Sequence, residues 1–195
     1  PAGLALDLVT RDPVVAISPD GSTVAVAAAS KGVTLLYVRR IGEFEAQPLR
    51  GTDGAMNPFF SPDGEWIAFF ADTHLKKIPS KGGPVQLLAE VADTRGGAWV
   101  DRDTIVYSPM PATPLLRVHA AGGGTPTPVT PLDEAKHERT HRWPSALPDG
   151  KTVLFTVGSL ERPDDYDDAA IEAVRLDTGV RTFLLKGHMP RYVPT

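Results

Sequence analysis

Phe60-Ser61-Pro62-Asp63-Gly64-Glu65-Trp66 sits between two apolar runs, and its centre recurs as Ser18-Pro19-Asp20-Gly21 and as Leu147-Pro148-Asp149-Gly150. The residue types fit a tight turn. Ser opens it, Pro pre-sets φ at the second position, and Gly tolerates a positive φ at the fourth. Each copy therefore joins two antiparallel strands. Trp99-Val100-Asp101-Arg102-Asp103-Thr104-Ile105 aligns on Phe60 to Trp66 as a degenerate copy in which both Pro and Gly are replaced. The Pro column, at 19, 62, 101 and 148, gives spacings of 43, 39 and 47 residues. Periods of about 40 to 45 residues are those of four-stranded β-propeller blades.

Composition supports an all-β chain and excludes several function classes. The 195 residues include 18 Gly and 19 Pro, and Pro stands near twice its usual share of about 5%, so long helices are disfavoured. A net charge of −4 provides no general attraction to phosphate backbones or anionic membranes, so no nucleic-acid partner is expected. No apolar run reaches the roughly 18 to 20 residues that a spanning helix needs, so no membrane insertion of this segment is expected. The absence of cysteine removes disulfides, thiolate metal sites and cysteine nucleophiles.

Short apolar segments between turn residues divide into four blades of four antiparallel strands, over approximately 13–50, 57–90, 97–130 and 142–185. Leu4–Val9 reads as a lone strand ahead of the first blade, and 189–195 as the start of a further repeat, with Pro194 standing 46 residues after Pro148. The expectation is a β-propeller of about four blades that is part of a larger propeller. Its exposed blade edges would offer unpaired backbone groups to a second copy, giving a homo-oligomer.

Phe60-Ser61-Pro62-Asp63-Gly64-Glu65-Trp66-Ile67-Ala68-Phe69 resembles the TolB-type, WD40-like (PD40) propeller repeat of bacterial proteins. The stretch from Asn57 to Phe155 further resembles the propeller domains of bacterial eukaryotic-like serine/threonine kinases. That likeness rests on Leu75-Lys76-Lys77-Ile78-Pro79, Arg95-Gly96-Gly97-Ala98-Trp99 and His141-Arg142-Trp143-Pro144. It implies an interaction or sensor module of a bacterial parent, in an extracytoplasmic or periplasmic location. It is specific for fold, whereas a fold hosts many functions.

Several motifs bear on chemistry. His137-Glu138-Arg139-Thr140-His141 is a literal His-Glu-x-x-His, which on a helix holds zinc between two imidazoles one turn apart. Pro144 follows closely, and no third ligand lies on a convincing later helix, so a polar surface loop is the expected state and zinc peptidase activity a distant third reading. Asp164-Asp165-Tyr166-Asp167-Asp168 lacks the glycine turn and closing Glu of a calcium loop and reads as a solvated hairpin tip. There is no Gly-x-Ser-x-Gly elbow, and Gly122-Gly123-Gly124 reads as a turn. No catalytic residue, metal or cofactor is therefore assigned. The remaining candidates lie on the links from each outer strand to the next inner strand, which gather around the channel mouth. They carry Asp53, Met56, Asn57, Asp93, Arg95, Glu138, His141 and Arg142. Arg95, Glu138, His141 and Arg142 are taken as candidate contacts for a protein partner, with Trp99 and Trp143 as blade-packing residues. The other reading is the accessory propeller of a prolyl-oligopeptidase-like or other hydrolase.

Overall fold

A computed structural model describes residues 5–6 and 14–192. It contains seventeen strands and, among the described residues, one short 3-10 turn at Glu134–Lys136. Blade one comprises β1 (Ala5–Leu6), β2 (Val15–Ile17), β3 (Thr23–Ser30), β4 (Val33–Arg40) and β5 (Gln47–Leu49). Blade two comprises β6 (Met56–Phe60), β7 (Trp66–Ala71), β8 (His74–Pro79) and β9 (Gln86–Glu90). Blade three comprises β10 (Gly97–Trp99), β11 (Thr104–Tyr107), β12 (Leu116–His119) and β13 (Thr127–Pro128). Blade four comprises β14 (Glu138–Ala146), β15 (Thr152–Ser159), β16 (Ala170–Arg175) and β17 (Arg181–Lys186). Within each sheet the strands pair antiparallel in sequence order, apart from β1, which shares the free side of β3 with β2. The segment read as a lone leading strand thus contributes Ala5 and Leu6 to blade one, while its other residues and 193–195 lie outside the described residues.

Contacts divide the chain between Glu90 and Val91 into two compact units. In the first, the alanines of β3 face large side chains of blade two: Ala25 and Ala27 cluster with Phe60, Ile67 and Phe69. Small against large across facing sheets fills the space without strain. In the second, Val100, Val106 and Leu115 of blade three pack on Val153, Phe155 and Val174 of blade four.

The repeated turn works through its side chains. In blade two Gly64 N donates to Ser61 O at 2.9 Å and Trp66 N to Ser61 Oγ at 2.9 Å, while Asp63 Oδ1 accepts from Glu65 N at 3.0 Å. Blade one repeats the pattern at Ser18 and Asp20. Blade four replaces Ser with Leu147, and Asp149 Oδ1 alone accepts from Lys151 N and Thr152 N, both at 2.9 Å. The degenerate third copy is one residue shorter than the sequence alignment supposed. Its closing bond runs from Val100 N to Thr104 O, whereas the others span Ser18 to Thr23, Ser61 to Trp66 and Leu147 to Thr152. Asp101 Oδ1 accepts from both Asp103 N and Thr104 N at 2.8 Å, so one carboxylate closes the turn and no glycine is required.

Blade four also departs from its expected start. β14 begins at Glu138 rather than Trp143, because His137 at φ 53 ends the 3-10 turn in the left-handed region and redirects the chain into pairing with Ser159 and Gly158.

Candidate functional site

One backbone position repeats with the blades. Five residues before the marks at 62, 101 and 148, and before Pro194, stand Asn57, Gly96, Trp143 and Met189, with φ of 50, 95, 49 and 53, whereas Val14, five before Pro19, is not among the positive-φ residues. Three of these precede prolines, at 58, 144 and 190. A residue before proline is normally driven to extended backbone, and a non-glycine residue at positive φ is uncommon, so the surrounding fold imposes this kink. It coincides with a slip of strand register in β6 and in β14. At Gly96 the kink also needs space, because a Cβ there would meet Trp143 Cα at 3.4 Å.

The residue just before the kink is Met56, Arg95, Arg142 or His188. In the second unit the last three converge. Trp143 N donates to Arg95 O at 2.8 Å, and the Trp143 ring meets Tyr166 edge-on at 5.0 Å and His188 at 6.0 Å. The Arg142 guanidinium lies 4.8 Å from the Tyr166 ring and donates to Pro111 O at 2.8 Å. Arg95 grips Asp93 with both terminal nitrogens, at 2.5 and 2.8 Å. Arg142, Trp143 and Tyr166 are buried, whereas His188 is exposed and Arg95 partly so. Burial raises the Tyr166 hydroxyl above its ordinary range against the pull of Arg142. Arg142, Trp143 and Tyr166 thus form a buried, packed base beneath the half-buried Arg95 and the exposed His188.

The acidic run therefore is not wholly a solvated tip. Tyr166 folds inward, its hydroxyl donating to Pro163 O at 3.2 Å, where Arg139 also donates at 2.7 Å. Arg162 spans Asp165 and Asp168 at 3.3 and 3.0 Å.

The other two sequence candidates, Glu138 and His141, lie inside the protein in a separate network. Thr130 Oγ1 meets His141 Nδ1 at 2.7 Å, and His141 Nε2 meets Glu138 Oε2 at 3.1 Å. Arg181 donates to Glu138 Oε1 at 2.6 Å and to Oε2 at 3.0 Å, and its Nε donates to Glu172 at 2.8 Å. Asp133 N completes the carboxylate's set at 2.8 Å. Burial alone would raise the Glu138 carboxyl, but bonds from His141, Arg181 and Asp133 N outweigh it and bring it to about 2. Desolvation lowers His141 below its usual value despite the Glu138 bond, so the ring is neutral near pH 7, with Nε2–H donating to Glu138 and Nδ1 accepting from Thr130.

Hydroxyl, imidazole and carboxylate in series have the connectivity of a nucleophilic triad. Thr130 and His141 are nevertheless fully enclosed, and Thr130 Oγ1 accepts from Leu115 N at 3.2 Å. The network clamps the end of blade three to blade four, and burial corrects the expectation that Glu138 and His141 line a partner surface. The His-Glu-x-x-His spacing is not helical either. His137 is exposed and bonded to Glu161 at 3.1 Å while His141 points inward. Among the described residues no three His, Asp or Glu side chains converge as metal ligands.

Sequence reasoning missed His188, Tyr166 and Arg181. His188 carried a signal, since it stands at the repeat position of Arg95 and Arg142. Tyr166 was masked by its acidic neighbours, and Arg181 reaches Glu138 across 43 positions with no local motif to mark it.

No family model matches the chain, and no curated protein matches it. Solved structures do. TolB from Acinetobacter baumannii is similar with a TM-score of 0.70 at 17% identity, over 91% of this chain and 44% of that one. A chain of a nidogen/laminin complex gives 0.63 at 12%, over 88% and 62%. A prolyl endopeptidase gives 0.60 at 15%, over 88% and 29%. The fold is thus a β-propeller of four-stranded antiparallel blades. It is similar to the fold of TolB, and the chain spans less than half the length of the TolB chain it matches.

Proposed function

We propose that this propeller is a non-catalytic interaction module that holds a protein partner on the surface presented by Arg95 and His188, which the buried Arg142, Trp143 and Tyr166 support from beneath. The observation that carries the reading is the repeated left-handed kink, which in three successive repeats of the second unit sets Arg95, Arg142 and His188 at the same place beside buried aromatics. Arg and aromatic anchors of this kind dominate binding energy where interfaces are mapped. The sequence likeness to kinase-appended propellers supports a sensor role in a bacterial, extracytoplasmic setting. The fold shared with a prolyl endopeptidase favours, as a second reading, an accessory propeller beside a hydrolase.

Site-specific photo-cross-linking tests the location. A cross-linker at position 188 should yield a discrete adduct in bacterial envelope extract, and one at Lys151, in the turn between β14 and β15, should not. With the purified adduct partner, Arg95→Ala and His188→Ala should each weaken binding by roughly tenfold, as expected for truncating an anchor worth about 1–2 kcal/mol. Equal adducts at both positions, or binding indifferent to both substitutions, would refute it.

A further inference from the structure

The outermost strands of the four blades are not alike. β5 and β13 are two or three residues long and each contains a proline. β9 exposes one large apolar side chain, Leu87. These are the ordinary ways a protein blunts a free sheet edge. β17 is six residues long, contains no proline and leaves Phe183, Leu184 and Leu185 exposed at 58, 45 and 53%. Among the described residues it pairs with β16 only, and its outward backbone groups have no strand partner there.

The strand's register makes both faces apolar. Phe183 pairs with Glu172 and Leu185 with Ile171, so Leu184 is an extra residue in a bulge. The bulge turns Phe183 and Leu185 to opposite sides of the sheet, and bulges of this kind recur where a side chain is re-aimed beside a binding site. On the Phe183 side lie two clefts. One, of about 570 Å³, runs along Pro131–Lys136, and the other, of about 410 Å³, runs to the hairpin of Arg162 and Ala169, with Val157 and Ala170 in its wall. Phe183, Glu172 and Lys136 border both.

Charge selects the occupant. The two clefts together carry six carboxylates against three cations, and even Lys186 at the strand's end does not balance them. Five of the six carboxylates pair with the three cations, Asp133 with Lys136, Asp165 and Asp168 with Arg162, and Glu138 and Glu172 with Arg181, which leaves the clefts with a net charge of −3. A second copy would bring the same negative surface to the edge, whereas a strand alternating basic and apolar residues would meet acidic rims and apolar walls together.

We infer that β17 is a docking edge on which an extended, basic-apolar segment of a partner protein adds as a further strand of blade four, main-chain bonds giving affinity and the Phe183 clefts giving selectivity. This surface is separate from the Arg95–His188 surface, and neither reading depends on the other.

The probe is a nine-residue synthetic peptide alternating Lys and Val, capped at both ends, measured against the whole chain by fluorescence anisotropy and amide hydrogen exchange. It should bind, slow exchange of the outward β17 amides, and weaken several-fold between 50 and 200 mM salt, since exposed charge pairs are screened. The Glu/Val counterpart and a Lys/Val peptide with a central proline should bind at least tenfold more weakly. So should the Lys/Val peptide on Phe183→Lys/Leu185→Lys, whose altered side chains are exposed and whose folding is checked by an unchanged melting curve. The inference is overturned by equal binding of all three peptides, by binding without β17 protection, or by no binding. It is also overturned if light scattering shows a dimer with β17 amides protected before peptide is added, which would make a second copy the occupant.

Discussion

Gly158→Ala probes the packing on which the Arg142–Trp143–Tyr166 base rests. Gly158 lies within β15 and is not at positive φ, so alanine meets no backbone penalty. Removing a strand glycine on its own should stabilise the protein by about 0.4–1 kcal/mol. The added Cβ, however, would stand 2.7 Å from Thr140 Cγ2 and 2.8 Å from Tyr166 Cε1, roughly 1 Å inside ordinary carbon contact. Overpacking of this kind costs about 1–3 kcal/mol. The net loss should be about 1–2 kcal/mol, which for a chain of this size lowers Tm by roughly 3–6 °C. Tyr166 would be displaced from Trp143, with a change in near-ultraviolet circular dichroism. In a Tyr166→Ala/Thr140→Ser background both obstructing groups are gone, and the same alanine should be neutral or stabilising. A higher Tm for Gly158→Ala alone, with an unchanged aromatic spectrum, would refute the argument that Tyr166 occupies the space glycine leaves.

Glu138→Gln should cost about 3 kcal/mol in urea unfolding, because Arg181 stays buried with half its charge partner removed; a loss below 1 kcal/mol would show that the carboxylate does not hold the blades together. Stability should fall on acidification in two steps. His141, lowered in the fold, contributes fully above the ordinary histidine value of about 6.5 and loses that contribution as pH drops through it. Glu138, held at about 2 against 4.5, contributes fully above 4.5 and loses roughly 3 kcal/mol as pH falls toward 2. In Glu138→Gln the second step should flatten, which urea midpoints between pH 7 and 3 will read. Asp101→Ala should cost about 1–2 kcal/mol by removing the acceptor of two backbone bonds, and Asp101→Asn distinctly less; equal losses would mean the charge, not the acceptor, closes the third turn. Tyr107→Phe should raise Tm by a few degrees, because its fully buried hydroxyl has no partner among the described residues and burial pushes it up to about 12; a lower Tm would reveal an ordered water.

The blades were legible because their turns are made locally: Ser18, Ser61, Asp20, Asp63 and Asp149 bond to backbone within five residues of themselves. The shortened third turn was not, because Asp101 does by hydrogen bonding what Pro and Gly do by dihedral preference, and an alignment by residue type cannot see the exchange. The candidate surface was half legible. Arg95 and Arg142 stood out beside their glycine and tryptophan, but the backbone sign at Trp143 and Met189, each before a proline, runs against the local preference and is imposed by neighbouring strands. Glu138 and His141 drew attention as a motif, and their burial depended on Arg181, whose place follows from the closing of blade four rather than from anything near it in sequence.

The left-handed position is filled by Asn57, Gly96, Trp143 and Met189. Four residues with little in common share a positive φ, so the frame there is specified by strand pairing and not by the residue it carries. Such a position is free to diversify: successive blades can exchange what they present at one fixed point in space while the scaffold beneath them stays the same. Inheritance of a propeller by duplication would then leave, at this point of each blade, a record of what its surface was selected to hold.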